Sequence, residues 1–188
     1  VGGVDGSVIG DNIVVEDGKV TVSGSTSSTS GYVEFNGAAL ALNTYTAITL
    51  EASLQAGNGE NGGFTMLSYF GSNTAGQRCF WIQPTRGNGT FTRIETNNGS
   101  ATKTAELAGK ELDDGLPHHV VAVLTADTLI YYIDGVPVAS VGTEGDYIST
   151  LGTEFACLFK GVWNDNNYNA SIYEYNIYDG VLTDEEIQ

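Results

Sequence analysis

The sequence predicts an all-β protein, an antiparallel two-sheet β-sandwich that ends in a short C-terminal helix. Three observations carry this. Apolar residues recur with period two in short runs. The runs are separated by glycine-containing turn dipeptides. No run of helical period lies between them to serve as a crossover, so neighbouring strands must pair antiparallel and the sheets must stack face to face. The composition agrees. Of 188 residues, 41% are hydrophobic and only 16% charged, and 25 glycines against 3 prolines mean that the turns are built mainly with glycine. That length suits one sandwich domain, so residues 1–188 are read as a single unit with a core of useful size.

The elements follow in chain order. Strands at 13–15 and 19–22 flank Asp17-Gly18, a dipeptide that tolerates the positive φ of a tight hairpin. The polar run from Ser23 to Ser30 reads as a loop, and residues 32–35 form a strand closed by Asn36-Gly37. In the next strand Ile48, Leu50, Ala52 and Leu54 share one face, and Thr49, Glu51 and Ser53 share the other. Strands are expected at 64–70, 77–83, 91–95 and 102–107, with turns at Asn61-Gly62, Asn88-Gly89 and Asn98-Gly99. The block 118–141 is apolar on both faces of its first strand, which argues for a central position. Turns at Ala126-Asp127 and Asp134-Gly135 divide it into a three-strand meander. Strands at 155–159 and 171–178 follow. Thr183 is placed to cap a last helix, with Glu186 as its capping-box partner.

Two segments carry a resemblance to a known family. His118-His119-Val120-Val121-Ala122-Val123, followed by Leu129-Ile130-Tyr131-Tyr132-Ile133-Asp134-Gly135, resembles the meander of laminin-G-like jelly rolls of the concanavalin-A-like lectin/glucanase superfamily. Ile172-Tyr173-Glu174-Tyr175-Asn176-Ile177-Tyr178 and Leu182-Thr183-Asp184-Glu185-Glu186-Ile187 resemble its closing strand and helix. Tyr32-Val33-Glu34-Phe35-Asn36-Gly37 and Ile48-Thr49-Leu50-Glu51-Ala52 resemble its opening strands. Pro117 stands where the family usually has Trp, and Tyr173-Glu174 where acidic pairs are common. The resemblance implies a concanavalin-A-like jelly roll acting as a binding module of a secreted or cell-surface protein. Its ligands would be glycans or proteins, and a structural calcium is possible.

Charge narrows the partners. Seven basic and 23 acidic residues give a net charge of −16, which excludes the basic footprint of nucleic-acid or anionic-membrane binding. No stretch is long and apolar enough to insert in a membrane. Acidic polysaccharide would be repelled at long range, unless a local arginine cluster overcame the field. Catalysis lacks its residues. The nearest approach to a glycosidase carboxylate pair, Glu111-Leu112-Asp113-Asp114-Gly115-Leu116, has Leu116 where the acid/base partner belongs. His118 and His119 are adjacent on a strand and point to opposite faces, so they cannot share an ion. Cys79 and Cys157 sit in apolar runs and are read as buried free thiols, with a disulfide between them as the alternative.

The aromatic residues are the better lead, because sugars pack their C–H faces on rings while amides, carboxylates and guanidinium groups bond the hydroxyls. The loop Trp163-Asn164-Asp165-Asn166-Asn167-Tyr168 is the first candidate, with Trp163 as stacking surface and Asp165 and Asn167 as hydrogen-bonding groups. It is expected at an edge of the sandwich. Tyr168 flanks it, and Trp81, Tyr69 and Arg93, with Arg78 and Arg86 nearby, are the second candidates. Trp81, between Phe80 and Ile82, reads as core. Oxygen-rich residues 165–167 and Asp11, Glu16 and Asp17 are the candidate calcium ligands. The expected function is a non-catalytic carbohydrate-binding module. The alternative is a structural or adhesive domain that contacts protein, as in a surface adhesin or phage fibre.

Overall fold

The computed structural model describes residues 3–29, 31–86 and 91–188. Among these, fourteen strands form two seven-stranded antiparallel sheets. The first sheet runs, edge to edge, β1 (Gly6–Ile9), β4 (Tyr32–Phe35), β13 (Phe155–Leu158), β6 (Ser68–Gly71), β7 (Cys79–Gln83), β8 (Phe91–Asn97) and β9 (Thr102–Ala108). The second runs β12 (Val136–Gly142), β11 (Thr128–Ile133), β10 (Pro117–Leu124), β5 (Ile48–Gln55), β14 (Ala170–Asp179), β3 (Lys19–Val22) and β2 (Ile13–Glu16). The expected class and meander are therefore present, and β10 is central, paired to β5 and β11.

The main core lies between the sheets. Ile48, Leu50, Ala52 and Leu54 of β5 meet Phe70, Phe80, Ile82 and Ile94 of the first sheet. Two hydroxyl pairs bridge the apolar layer. The Thr92 and Tyr131 hydroxyls lie 2.9 Å apart and are fully buried. The Tyr175 phenol donates to the Ser68 hydroxyl at 2.7 Å. Each links one sheet to the other.

Both faces of β10 are apolar because its outer face is also covered. Val121, Val123 and Tyr132 pack against Ile187 of the C-terminal helix α2 (Asp184–Ile187). Thr183 caps that helix by the expected box with Glu186. His118 and His119 serve the same region structurally. His118 is buried between Asp114, 3.0 Å from Nε2, and Asp134, 2.9 Å from Nδ1. It thereby ties the loop before β10 to the β11–β12 turn. His119 Nε2 lies 2.9 Å from Glu51. Asp134 and Gly135, at φ 52° and 76°, form the type of turn that demands positive φ at both central residues, as do Asp17 and Gly18 at 50° and 73°.

The structure differs from the sequence reading at several points. Asn36-Gly37 closes β4 as expected, but by starting a helix. Asn36 is the N-cap of a one-turn helix, α1 (Gly37–Leu40), and its side chain accepts from the Ala39 N–H. Asn61 is buried and bonds Asn169, so Asn61-Gly62 is part of a packed loop and not of a hairpin. The strand expected at 64–70 contracts to β6, with Thr65 held in an isolated bridge to Thr85. Strand β1, too short and polar to show period two, was not expected. The Asn88-Gly89 turn and Ser30 lie outside the described residues.

Cys79 and Cys157 are buried and unbridged. Cys157 pairs across to Tyr69 of β6, and β6 separates its strand from that of Cys79. Two strand spacings of roughly 4.8 Å exceed the reach of about 7 Å between disulfide Cα atoms. Burial pushes the Cys79 thiol up to about 12.

Two expectations follow. Tyr131→Phe removes one sheet-to-sheet bond and should cost about 1–2 kcal/mol in denaturant unfolding, with the fold retained because Thr92 still donates to the Gln83 carbonyl. Partial burial raises the Asp114 carboxyl, but hydrogen bonds from Lys110, the Leu116 N–H and His118 outweigh it and hold the group at about 2. Its pKa is lower folded than unfolded, so its contribution is complete above about pH 4 and lost as pH falls toward 2. Asp114→Asn should therefore show a smaller drop in melting temperature across that interval than the parent chain.

Candidate functional site

A sheet in a two-layer sandwich normally buries one face. Here β6 and β7 are buried on both. Phe70, Phe80 and Ile82 point into the main core, while Tyr69, Cys79 and Trp81 alternate to the outer side. There they join Met66 and Cys157 in a separate apolar cluster, flanked by Tyr32, Phe155, Val162 and Trp163. The cover is the segment between β13 and β14. It folds across the outer face of the first sheet rather than standing at an edge, because Trp163 has buried aromatic surface to pack on there.

Backbone and amide bonds hold that segment. The Tyr168 N–H donates to the Phe159 carbonyl at 2.8 Å and closes the loop at its base, and the Phe159 N–H donates to the Leu67 carbonyl at 2.8 Å. Asn61 and Asn169 clasp each other: the Asn169 N–H donates to Asn61 Oδ1 at 2.8 Å, and Asn61 Nδ2 donates back to the Asn169 carbonyl at 3.0 Å. The Ser25 N–H donates to Asn169 Oδ1 at 2.7 Å. Asn167 Nδ2 donates to the Gly31 carbonyl, and Lys160 to the Ser28 carbonyl.

Above the cluster lies a cleft of about 360 Å³ lined by Phe64, Met66, Trp81, Arg93, Glu95, Trp163 and Asp165. Trp163 is half-buried and meets Tyr69 and Trp81 edge-on, at centroid separations of 5.8 and 6.0 Å. Arg93 lies over two rings, its guanidinium carbon 5.0 Å from the Trp81 centroid and 4.8 Å from that of Phe91. Its Nε donates to Gln83 Oε1 at 2.8 Å, and Glu95 stands 3.9 Å away. Burial raises the Glu95 carboxyl, with opposing effects from the Thr104 hydroxyl and Arg93, and burial raises Asp165 as well. The cleft thus offers a ring, a guanidinium edge and two carboxylates that a hydroxylated ligand could bond. A larger open depression of about 570 Å³ beside β1, lined by Asp5, Glu34, Thr153 and Glu154 among others, has Phe35 as its only ring. We give it less weight for that reason.

The residues expected at the site separate into two sets. Trp163, Asp165, Trp81 and Arg93 meet in the cleft, with Tyr69 beneath Trp163. Trp81 is buried as expected, but in the outer cluster and not between the sheets. Asn167 and Tyr168 are 1% and 0% exposed. Asn167 faces the 27–31 segment and Tyr168 enters the main core, so neither can touch a ligand. The calcium candidates fit poorly: Asp165 lines the cleft while Asn167 bonds backbone elsewhere, and the described residues contain no cluster of three or more His, Cys, Asp or Glu suited to an ion. Glu111 and Asp113 lie in the loop before β10 and do not line the cleft. Phe64, Met66 and Glu95 were missed. Glu95 had a signal, because it shares parity with Phe91 and Arg93 along β8; Phe64 and Met66 did not, since they share parity with Phe70, which faces the main core.

Comparison with known proteins places the chain. Residues 27–188 match a laminin-G family model described as the Concanavalin A-like lectin/glucanases superfamily. The chain belongs to that family. No curated protein sequence matches it. It is similar to a solved chain of botulinum neurotoxin type C, from work on cell entry dependent upon interaction with two ganglioside molecules. There the TM-score is 0.73 and identity 12%, over 98% of this chain and 45% of that one, so this chain spans less than half of that length. It is similar to the Ruminococcus gnavus IT-sialidase CBM40 bound to α2,3-sialyllactose, with TM-score 0.65 and 18% identity over 79% and 84%. Mouse laminin α1 domains LG4-5 align with TM-score 0.55 and 12% identity over 71% and 35%. At these identities the likeness is one of fold.

The two sets of loop residues should respond differently to truncation. Tyr168→Ala empties a fully buried site and should cost about 3–5 kcal/mol in denaturant unfolding, whereas Asp165→Ala should leave the unfolding midpoint within the range of an ordinary surface change.

Proposed function

We propose that this domain is a non-catalytic carbohydrate-binding module of a larger secreted or cell-surface protein, and that the cleft beside Trp163 is its glycan site. The observation that carries the reading is Trp163 itself. A half-buried indole, met edge-on by two rings, lines a cleft that also contains Arg93, Glu95 and Asp165. A rigid flat ring with polar groups at its margin is what a sugar's C–H face and hydroxyls require. The fold is shared with a sialidase CBM40 bound to sialyllactose, which supports a sugar-binding role. The cleft supplies no carboxylate pair on one rigid strand face, so a binding role suits it better than glycoside hydrolysis.

The test is a glycan array probed with the parent chain and with Trp163→Ala. The parent should bind a restricted set of glycans, and the variant should lose that binding at least tenfold. Because the ring is only half-buried, the stability cost should be about 2 kcal/mol, roughly half that of a fully buried ring. A folded Trp163→Ala protein that binds as the parent does would move the site elsewhere. A parent chain that binds no glycan but captures a protein would favour the adhesive role.

A further inference from the structure

The outer face of the first sheet carries a second feature beside Trp163. Arg86 lies over two rings, its guanidinium carbon 4.9 Å from the Phe64 centroid and 5.2 Å from that of Phe91. Arg93 lies over Phe91 and Trp81. The order across the surface is therefore Phe64, Arg86, Phe91, Arg93, Trp81: a row in which rings and guanidinium groups alternate. Three of the other five cations, Arg78, Lys103 and Lys110, are engaged in surface ion pairs with Glu154, Glu144 and Asp114. Arg86 makes no ion pair among the described residues, and Arg93 has only Glu95, at 3.9 Å. In a chain of net charge −16, two of three arginines share the Phe91 ring beside the cleft: Arg93 lines it, and Arg86 lies over Phe64, which lines it.

We propose that the glycan bound in this cleft carries a carboxylate, and that Arg86, with the free edge of Arg93, receives it. This rests on the carbohydrate reading of the cleft. A guanidinium presents paired N–H donors that match the two oxygens of a carboxylate, and contact with two rings restrains each arginine. The direction of binding follows from β8. Phe91, Arg93 and Glu95 share a face, so Glu95 stands one two-residue step inward from Arg93. An acidic group must therefore lie at the Arg86 end, with neutral hydroxyls toward Glu95, Asp165 and Trp163. The chain's negative field excludes anions at long range and the arginine pair admits one at contact, so an acidic sugar is accepted only when it is seated in the cleft.

Calorimetric titration tests this with oligosaccharides ending in a uronic acid or a sialic acid, each beside its carboxyl-reduced form, and with a sulfated oligosaccharide. At least one carboxylated probe should bind ten times or more tighter than its reduced form. Arg86→Gln should remove most of that difference, leaving binding of the reduced form and the melting temperature unchanged. A reduced form that binds as well as its parent overturns the proposal and leaves the carbohydrate reading intact. So does an Arg86→Gln chain that keeps its preference. A sulfated probe bound as tightly as the carboxylated one would show that charge and not carboxylate geometry is read, and would overturn the assignment. Failure of every probe, reduced forms included, would remove the carbohydrate reading as well.

Discussion

The buried clasp between Asn61 and Asn169 joins segments more than a hundred residues apart in sequence. Each side of it mimics a backbone ladder pair, with Asn61 presenting its amide as though it were a peptide. Through the Asn169 side chain the clasp extends to the Ser25 backbone, so three connections at one end of the sandwich become one unit. The segment that carries Trp163 emerges from this unit. The clasp anchors the C-terminal end of that segment, beside the Tyr168–Phe159 and Phe159–Leu67 backbone bonds at its base. Buried amides left unpaired cost more than their bonds contribute when made.

The covering segment explains why a sheet can be apolar on both faces. Tyr69 and Trp81 would be an exposed patch on a bare sandwich, and such patches invite association. Val162 and Trp163 cover the cluster from one side, and Arg93 covers Trp81 from the other. The two covers differ in kind. One is aromatic packing, and the other is a cation on a ring face, which stays in contact with water at its edge. The cleft is the space between them. The opposite sheet repeats the plan with α2, whose Ile187 covers Val121 and Val123. Each sheet therefore has its own outer cover, one a loop and one a helix.

The parts of this architecture that repeat with period two were legible in the chain. The alternation of Ile48, Leu50, Ala52 and Leu54 placed β5, and the double-sided block 118–124 placed β10 at the centre. The turn dipeptides Asp17-Gly18 and Asp134-Gly135 were legible because their φ values leave few residue types a choice. Asn61 was misread as a turn residue, and the helix that Asn36 caps was not expected. An asparagine side chain can cap a helix, clasp a distant strand or accept positive φ, and only the tertiary setting selects among these. For the site, the identity of Trp163, Asp165, Trp81 and Arg93 could be read, but not their meeting, since β7, β8 and the 159–169 segment come together only through sheet order. Tyr168 shows the converse. Its neighbours in sequence are polar, yet the loop turns at its base and sends the ring inward. Phe159 stands there at φ 68°, a conformation a bulky residue holds only under constraint.

The two hydroxyl pairs that cross the core have a mechanical meaning. Hydrocarbon contacts between stacked sheets resist sliding only through interdigitation, because dispersion itself has no direction. Bonds between Thr92 and Tyr131, and between Tyr175 and Ser68, do have direction, and they start from different strands of each sheet. A slide of one sheet relative to the other would break both. The sandwich is thus pinned against shear at two points, one of them on β8, the strand whose opposite face holds Arg93. The strand beneath Arg93 is thus tied to the opposite sheet on its core side, which would leave it little conformational entropy to lose if the proposed cleft were filled.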